Sequence, residues 1–248
     1  MTLIPMSPSS QLVPFVISSC VKYSDVLEIS HRSIKDAFPS LPVFVVTDAK
    51  LTFVDSATCF QKKDLGWNKN LLFLLDMMPD RDFVILTMDD LEIVNSVSEH
   101  YFMDLINFFI ANELDYVSLY SPPAVKLKRA VNADFQMFSP IDADHSISTM
   151  CSLIRVDLLR FLLSNTETPW EFERLSYRYV KGYKCMNLNF NAVVLSNMIV
   201  QGKKIFWRNK KNDRTTRELL FGVKYFFKVI GYSLGHLAKS KWRSFLIK

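Results

Sequence analysis

Apolar residues fall into two alternating patterns along the first half of the chain. Phe15-Val-Ile-Ser-Ser-Cys20 is a short apolar run that closes on small polar residues, as a strand buried on both faces does. Val43-Phe-Val-Val46 repeats the pattern and ends at Thr47-Asp48. Phe83-Val-Ile-Leu-Thr-Met88 runs straight into Asp89-Asp90, and Tyr116-Val-Ser-Leu-Tyr120 is closed by Pro122-Pro123. Between these runs the period lengthens. Asp25 is placed to cap a helix reaching about Ala37. Leu71, Leu74, Leu75 and Met78 share one helical face after Trp67-Asn68, and Pro79-Asp80 stops that helix. Phe102, Leu105, Ile106 and Phe109 mark another. Strands alternating with helices predict an α/β fold with a mostly parallel central sheet flanked by helices.

The second half is less regular. Ser148 to Ile154 reads as a strand and Val156 to Leu163 as a helix. Thr168-Pro-Trp-Glu171 combines an N-cap, a first-turn proline and a capping-box carboxylate. Val193-Val-Leu and Ile199-Val200 are strand-like, with a turn at Gln201-Gly202 before Ile205-Phe-Trp207. Thr215-Thr-Arg-Glu218 is a second capping box, and it opens a long helix toward the C-terminus.

Composition narrows the class. Apolar residues make up 49% of the 248 and charged residues 22%, enough to build a core. Pro5, Pro8, Ser9, Ser10 and Pro14 crowd the first dozen residues, which lack the basic start and apolar stretch of a signal peptide. No uncharged apolar run approaches the roughly 20 residues that span a bilayer. A cytoplasmic origin is expected. Cys20, Cys59, Cys151 and Cys185 are too scattered for a zinc site or a disulfide framework and read as buried thiols.

Net charge is +5, but it is unevenly placed. From Gln201 onward thirteen Lys or Arg face only Asp213 and Glu218, so the first 200 residues carry a negative balance. A basic tail on an acidic body suggests contact with an anionic surface. Leu219, Val223, Phe226, Phe227, Ile230, Leu234 and Leu237 keep helical spacing there, and Trp242, Phe245, Leu246 and Ile247 follow among basic residues. That mixture describes a helix lying in a bilayer interface; a helix packed on the preceding domain is the plainer alternative. No nucleic-acid-binding motif accompanies the charge, so no nucleic acid partner is expected. The expected division is a domain over 1–212 and a basic helical segment over 213–248.

Several chemistries are excluded by glycine. The six glycines, at 66, 182, 202, 222, 231 and 235, form no G-x-G and none follows the first strand. Rossmann and P-loop phosphate binding both need glycine there for close backbone approach. There is no G-x-S-x-G elbow and no H-E-x-x-H.

What remains is carboxylate chemistry. Asp89 and Asp90 end a central strand, and ligands of open α/β sheets bind beyond such ends. Two carboxylates there suit a hard divalent cation, Mn²⁺ or Mg²⁺, shared with a diphosphate; an acidic turn is the plain alternative. Glu173 and Glu171 are the candidate catalytic carboxylates, although the capping box already accounts for Glu171. Glu173 shares a helix face with Trp170 and Tyr177, a carboxylate beside an aromatic platform, as a general base for a sugar hydroxyl requires. A surface ion pair with Arg174, Arg178 or Lys181 would explain it equally simply.

The order Tyr23-Ser-Asp25, Trp67-Asn-Lys-Asn-Leu-Leu72, Asp89-Asp90, Ser148-Thr-Met-Cys-Ser-Leu-Ile-Arg155 and Thr168-Pro-Trp-Glu-Phe-Glu173 resembles a bacterial glycosyltransferase family of capsule, O-antigen and lipooligosaccharide (lipopolysaccharide) biosynthesis. The resemblance spans roughly residues 13–210 and implies a nucleotide-diphospho-sugar transferase (GT-A) fold. Met150 and Ile154 stand where that family often has Gln and Trp, and Leu91 where it has Phe. The resemblance implies a metal at Asp89/Asp90, a base at Glu173, and nucleotide-sugar contacts at Ser18, Tyr23, Asp48 and Trp67. The expected reaction is transfer of a sugar from a nucleoside-diphosphate sugar to a hydroxyl of a glycan or lipid-linked glycan acceptor, with inversion. The expected location is peripheral, on the inner face of the cell membrane. A nucleotidyltransferase of related fold and a non-catalytic membrane adapter are the rival readings.

Overall fold

A computed structural model describes residues 12–55, 57–120, 129–130, 135–137, 147–188, 191–200 and 203–204. The expectations for the first eleven residues, for Pro122-Pro123, for the Gln201-Gly202 turn, for Ile205–Trp207 and for the basic tail, with the boundary at 212, lie outside them.

The N-terminal half is a repeating strand–helix unit. Strands β1 (Phe15–Ser18), β2 (Val43–Thr47), β3 (Cys59–Gln61) and β4 (Phe83–Leu86) form one sheet with helices α1 (Ser24–Ala37) and α2 (Trp67–Asp76) between them. β4 is followed by β5 (Leu91–Ser96), α3 (Glu99–Ala111) and β6 (Tyr116–Ser118). Then come β7 (Arg129–Ala130), β8 (Phe135–Met137), β9 (Ser152–Arg155), α4 (Val156–Ser164), α5 (Pro169–Leu175), β10 (Cys185–Leu188), β11 (Val193–Asn197), β12 (Ile199–Val200) and β13 (Lys203–Lys204).

The main sheet has the order β3-β2-β1-β4-β9-β6-β10-β8-β7. β3, β2, β1, β4, β6 and β10 run one way, so the sheet is mostly parallel and flanked by helices, as expected. β9 lies between β4 and β6 and opposes both, with Leu86 and Ser118 each in register with Ser152. A reversed strand in the middle was not evident from the sequence. It brings the start of β9 to the same edge as the ends of β1, β2, β4 and β6.

Period-two alternation sends the strand side chains to two cores. Phe15, Ile17, Val45, Ile85 and Leu153 pack under α1 and α3, where Phe38 and Phe102 stack at 4.1 Å. Val16, Val46, Val84, Leu86 and Ile154 pack under α2, α4 and α5. Both faces of the sheet are covered, which is why its strands read as continuous apolar runs.

Several elements end differently from expectation. The 15–20 run leaves the sheet at Ser18 and passes into a 3₁₀ turn, Val21–Tyr23; Tyr23, not Asp25, precedes α1, and Asp25 lies in its first turn. The strand expected from Ser148 starts at Ser152, because Cys151 adopts a left-handed φ of 54° that breaks extended pairing. α5 stops at Leu175, so Tyr177 sits in the 3₁₀ turn Ser176–Arg178 and not on the helix face of Trp170 and Glu173. Cys151 and Cys185 are buried thiols; Cys20 and Cys59 are only half-buried. Among the described residues no helix is long and apolar enough to cross a membrane.

Candidate active site

The parallel strands deliver their C-terminal ends to one edge, and the candidate residues gather along it. β1 ends at Ser18 and is followed by Ser19, both buried, and the chain after β4 continues beside β1, since Thr87 N–H donates to Val16 O at 3.3 Å. Two residues on, Ser19 Oγ donates to Asp89 Oδ2 at 2.6 Å. That bond joins the ends of two adjacent strands and fixes the Asp89 carboxylate.

Burial pushes the Asp89 carboxyl above its ordinary value, and the Ser19 hydroxyl partly offsets this. Asp90 is pushed up to about 6, first by burial and then by the neighbouring Asp89 charge. Two crowded carboxylates that resist ionising together could serve a hard cation, because a bound divalent ion would offset both penalties at once. All their donor atoms are oxygen, which matches Mg²⁺ or Mn²⁺. Among the described residues no group of three His, Cys, Asp or Glu converges on an ion site. An ion held by this pair would complete its shell with substrate phosphate and water, as Mg²⁺ commonly does.

β11 seals the pair on one side. Met198 N–H donates to Asp90 O at 2.8 Å, and Asn197 is in register with Leu91. β5 and β11 form a separate two-stranded sheet that starts directly after the carboxylates.

One half of the edge is shaped by backbone capture. Asp48, at the end of β2, accepts Val21 N–H through Oδ1 at 2.6 Å, which holds the 21–23 turn containing Tyr23. Asp64 Oδ1 accepts from Gly66 N–H and from Asn70 Nδ2, each at 2.9 Å. Gly66 has a φ of 96°, which only glycine adopts without strain, and so α2 can start abruptly at Trp67. The Trp67 indole is partly buried and meets the Phe172 ring edge-on at 5.5 Å; its Nε1–H is buried with no partner among the described residues. Asn68 Nδ2 donates to Thr166 O at 2.9 Å. The Trp67-Asn68 pair thus fastens the start of α2 to the α4–α5 region.

On the other half stand the two glutamates. Thr168 Oγ1 caps α5 by accepting Glu171 N–H at 3.2 Å, while Glu171 Oε2 accepts Glu167 N–H at 2.9 Å. The expected box closes one residue early, and Glu171 is a cap. Glu173 turns instead into the edge. Its Oε1 accepts from Ser148 Oγ at 2.9 Å, Thr149 N–H at 2.8 Å and Thr149 Oγ1 at 2.8 Å. Because Ser152 pairs with Leu86, the segment just before β9 lies alongside the segment just after β4. Glu173, on α5, is therefore bonded to the segment that lies beside the one carrying Asp89-Asp90.

Ser19, Ser148 and Thr149 were not singled out in the sequence as site residues. Ser19 could have been, as a small polar residue just past a buried strand that must lie beside Asp89 once β1 and β4 pair.

No protein-family model matches the chain, and no curated protein matches it. Among solved structures, the chain is similar to S. aureus TarS with a TM-score of 0.48 and 12% identity, over 74% of this chain and 36% of that one. It is similar to A197 from STIV with a TM-score of 0.40 and 10% identity, over 77% of this chain and 87% of that one. At these values neither likeness bears on function.

Proposed function

We propose that the chain is a glycosyltransferase that moves a sugar from a nucleoside-diphosphate sugar to a hydroxyl of a surface-glycan acceptor, with inversion. The observation that carries this reading is that Glu173, on α5, is bonded to the 148–149 segment before β9, and that segment neighbours the chain after β4 that carries Asp89-Asp90. It supplies a diphosphate-side pair and a single acceptor-side carboxylate, which are the two functions the reaction needs.

In this reading Ser18, Tyr23, Asp48 and Trp67 belong to the donor half. Asp48 holds the turn that carries Tyr23, and Trp67 supports the floor beneath α5. Asp89 and Asp90 hold the divalent ion, which when bound neutralises charge on the departing diphosphate. Glu173 takes the proton of the attacking hydroxyl, and Trp170, 72% exposed one turn earlier on α5, offers a ring for the acceptor sugar to lie against. The basic segment 213–248 brings the enzyme to an anionic membrane surface where lipid-linked acceptors reside.

The test is a thermal-shift panel of nucleoside diphosphates and their sugars, with and without Mn²⁺. Ligand that binds only the folded state raises its melting temperature. A shift that needs both nucleotide and metal supports the reading. Shifts with nucleoside triphosphates and release of pyrophosphate would favour a nucleotidyltransferase, and no shift with any of them would leave the transferase reading without its donor.

A further inference from the structure

The Ser148–Ser152 segment is fixed more tightly than a connection into a strand requires. Ser148 N–H donates to the buried Tyr116 hydroxyl at 2.9 Å, and that hydroxyl is 3.0 Å from Ser152 Oγ. Ser152 Oγ donates back to Ser148 O at 2.9 Å, and Met150 N–H donates to Ser148 Oγ at 3.0 Å. Burial pushes the Tyr116 phenol up to about 12, so it remains a neutral hydroxyl at the base of the network. On this frame stand the three donors that meet Glu173 Oε1.

Holding a helix against a loop takes one such bond. Three donors on one oxygen exceed that, because a carboxylate oxygen offers about two lone-pair directions. Their combined effect is orientational: a side chain with three rotatable bonds is held in one rotamer at the edge it shares with Asp89 and Asp90. Proton abstraction gains from such pre-set geometry, since a base that must search for its rotamer loses reactive encounters.

We infer that Thr149, assisted by Ser148, is the positioning residue for Glu173: its N–H and hydroxyl fix one carboxylate oxygen and thereby aim the group at the attacking hydroxyl. The inference rests on the transferase reading above. In the simplest version of the reaction the acceptor is water. Its oxygen bonds to the anomeric carbon, the bond from that carbon to the diphosphate oxygen breaks with its electron pair, and the water proton passes to Glu173.

Hydrolysis of a nucleoside-diphosphate sugar therefore gives a readout that needs no glycan acceptor. The probe is whichever of UDP-glucose, UDP-galactose, UDP-N-acetylglucosamine, GDP-mannose and dTDP-rhamnose full-length wild-type protein hydrolyses fastest with Mn²⁺. Thr149→Val keeps the shape and deletes one donor. It is expected to lower kcat about 10-fold with donor KM unchanged, the loss typical of a hydrogen bond to a charged group. Thr149→Ser, which keeps the hydroxyl, should restore the rate. Ser148→Ala should reproduce the Thr149→Val effects if the valine variant proves unstable. A Thr149→Val enzyme with wild-type kcat, or with its loss in KM and not in kcat, or a Thr149→Ser enzyme as impaired as the valine one, overturns the positioning role alone. Absence of hydrolysis of every probe by wild type overturns the transferase reading, and the positioning role with it.

Discussion

Ser19 and Asp89, separated by 70 residues, are joined by a 2.6 Å hydrogen bond that ties the end of β1 to the end of β4. The donor comes from the strand whose following loop lacks glycine, and the acceptor is the first of the two carboxylates. Rossmann folds approach a bound pyrophosphate with bare backbone at this place. Here a serine hydroxyl occupies it and holds an acid in position.

Removing that hydroxyl should be felt twice. Ser19→Ala leaves a buried carboxylate short of a donor, at a cost on the order of 1–3 kcal/mol to stability. It should also weaken Mn²⁺-dependent nucleoside-diphosphate binding, as should Asp89→Asn and Asp90→Asn, with the fold retained in all three. Calorimetric titration with and without Mn²⁺ measures this. Unchanged metal dependence in both aspartate variants would remove the metal assignment.

Asp90 sets a pH dependence whose sign follows from its shift. Its carboxyl is raised from 3.8 to about 6 in the folded protein, so the native state binds this proton more tightly than the unfolded one. The contribution to stability is then full below about pH 4, declines as pH rises toward 6, and stays low above that. Replacing the acid by its neutral isostere removes the decline. Asp90→Asn should be more stable than wild type at pH 7.5, by on the order of 1–3 kcal/mol, and no more stable near pH 4. Thermal melts of both proteins in chelator across this range decide the matter; parallel curves would count against it.

The two glutamates of α5 should separate cleanly. Glu173→Gln is expected to keep donor affinity and to lower transfer by about 10²-fold or more, the range for a general base. Glu171→Gln should cost about 1 kcal/mol or less, since it alters only a helix cap, and should leave turnover near wild type. Steady-state kinetics beside chemical denaturation distinguishes them, and exchanged behaviours would mean that the base had been misassigned.

Truncation after Asn212 tests the basic segment. The shortened protein should fail to co-sediment with anionic liposomes, while the full chain should bind them at low salt and release at high salt. Full-length protein that ignores anionic vesicles at low salt would exclude the interfacial reading. Unfolding of the truncated protein would show instead that the apolar stripe is packed core.

The central strands were legible because both their faces are covered, which makes them continuous apolar runs. Cys185-Met-Asn-Leu188 was missed for the converse reason: it carries no β-branched residue, and it finds its place only through pairing with β6 and β8. Cys59–Gln61 is a half-exposed edge strand with no clear period. Leu91–Ser96 was not read as a strand, since its partner β11 lies about a hundred residues away in sequence. In the site, Asp89 and Asp90 stood out as charge at the end of a strand. Ser148 and Thr149 did not, because their importance lies in converging on Glu173 Oε1, and convergence is a property of the folded chain.

The reversed strand β9 also dictates an order of assembly. β1 to β4 are joined by short crossovers and can close with little loss of loop entropy, whereas β9 must bring Arg155 back to Phe83 before its pairings return any energy. Folding should therefore complete the Ser19–Asp89 corner before the Glu173 corner exists. A chain caught between those events would carry the Ser19–Asp89 bond while Glu173 still lacked the three donors that fix it.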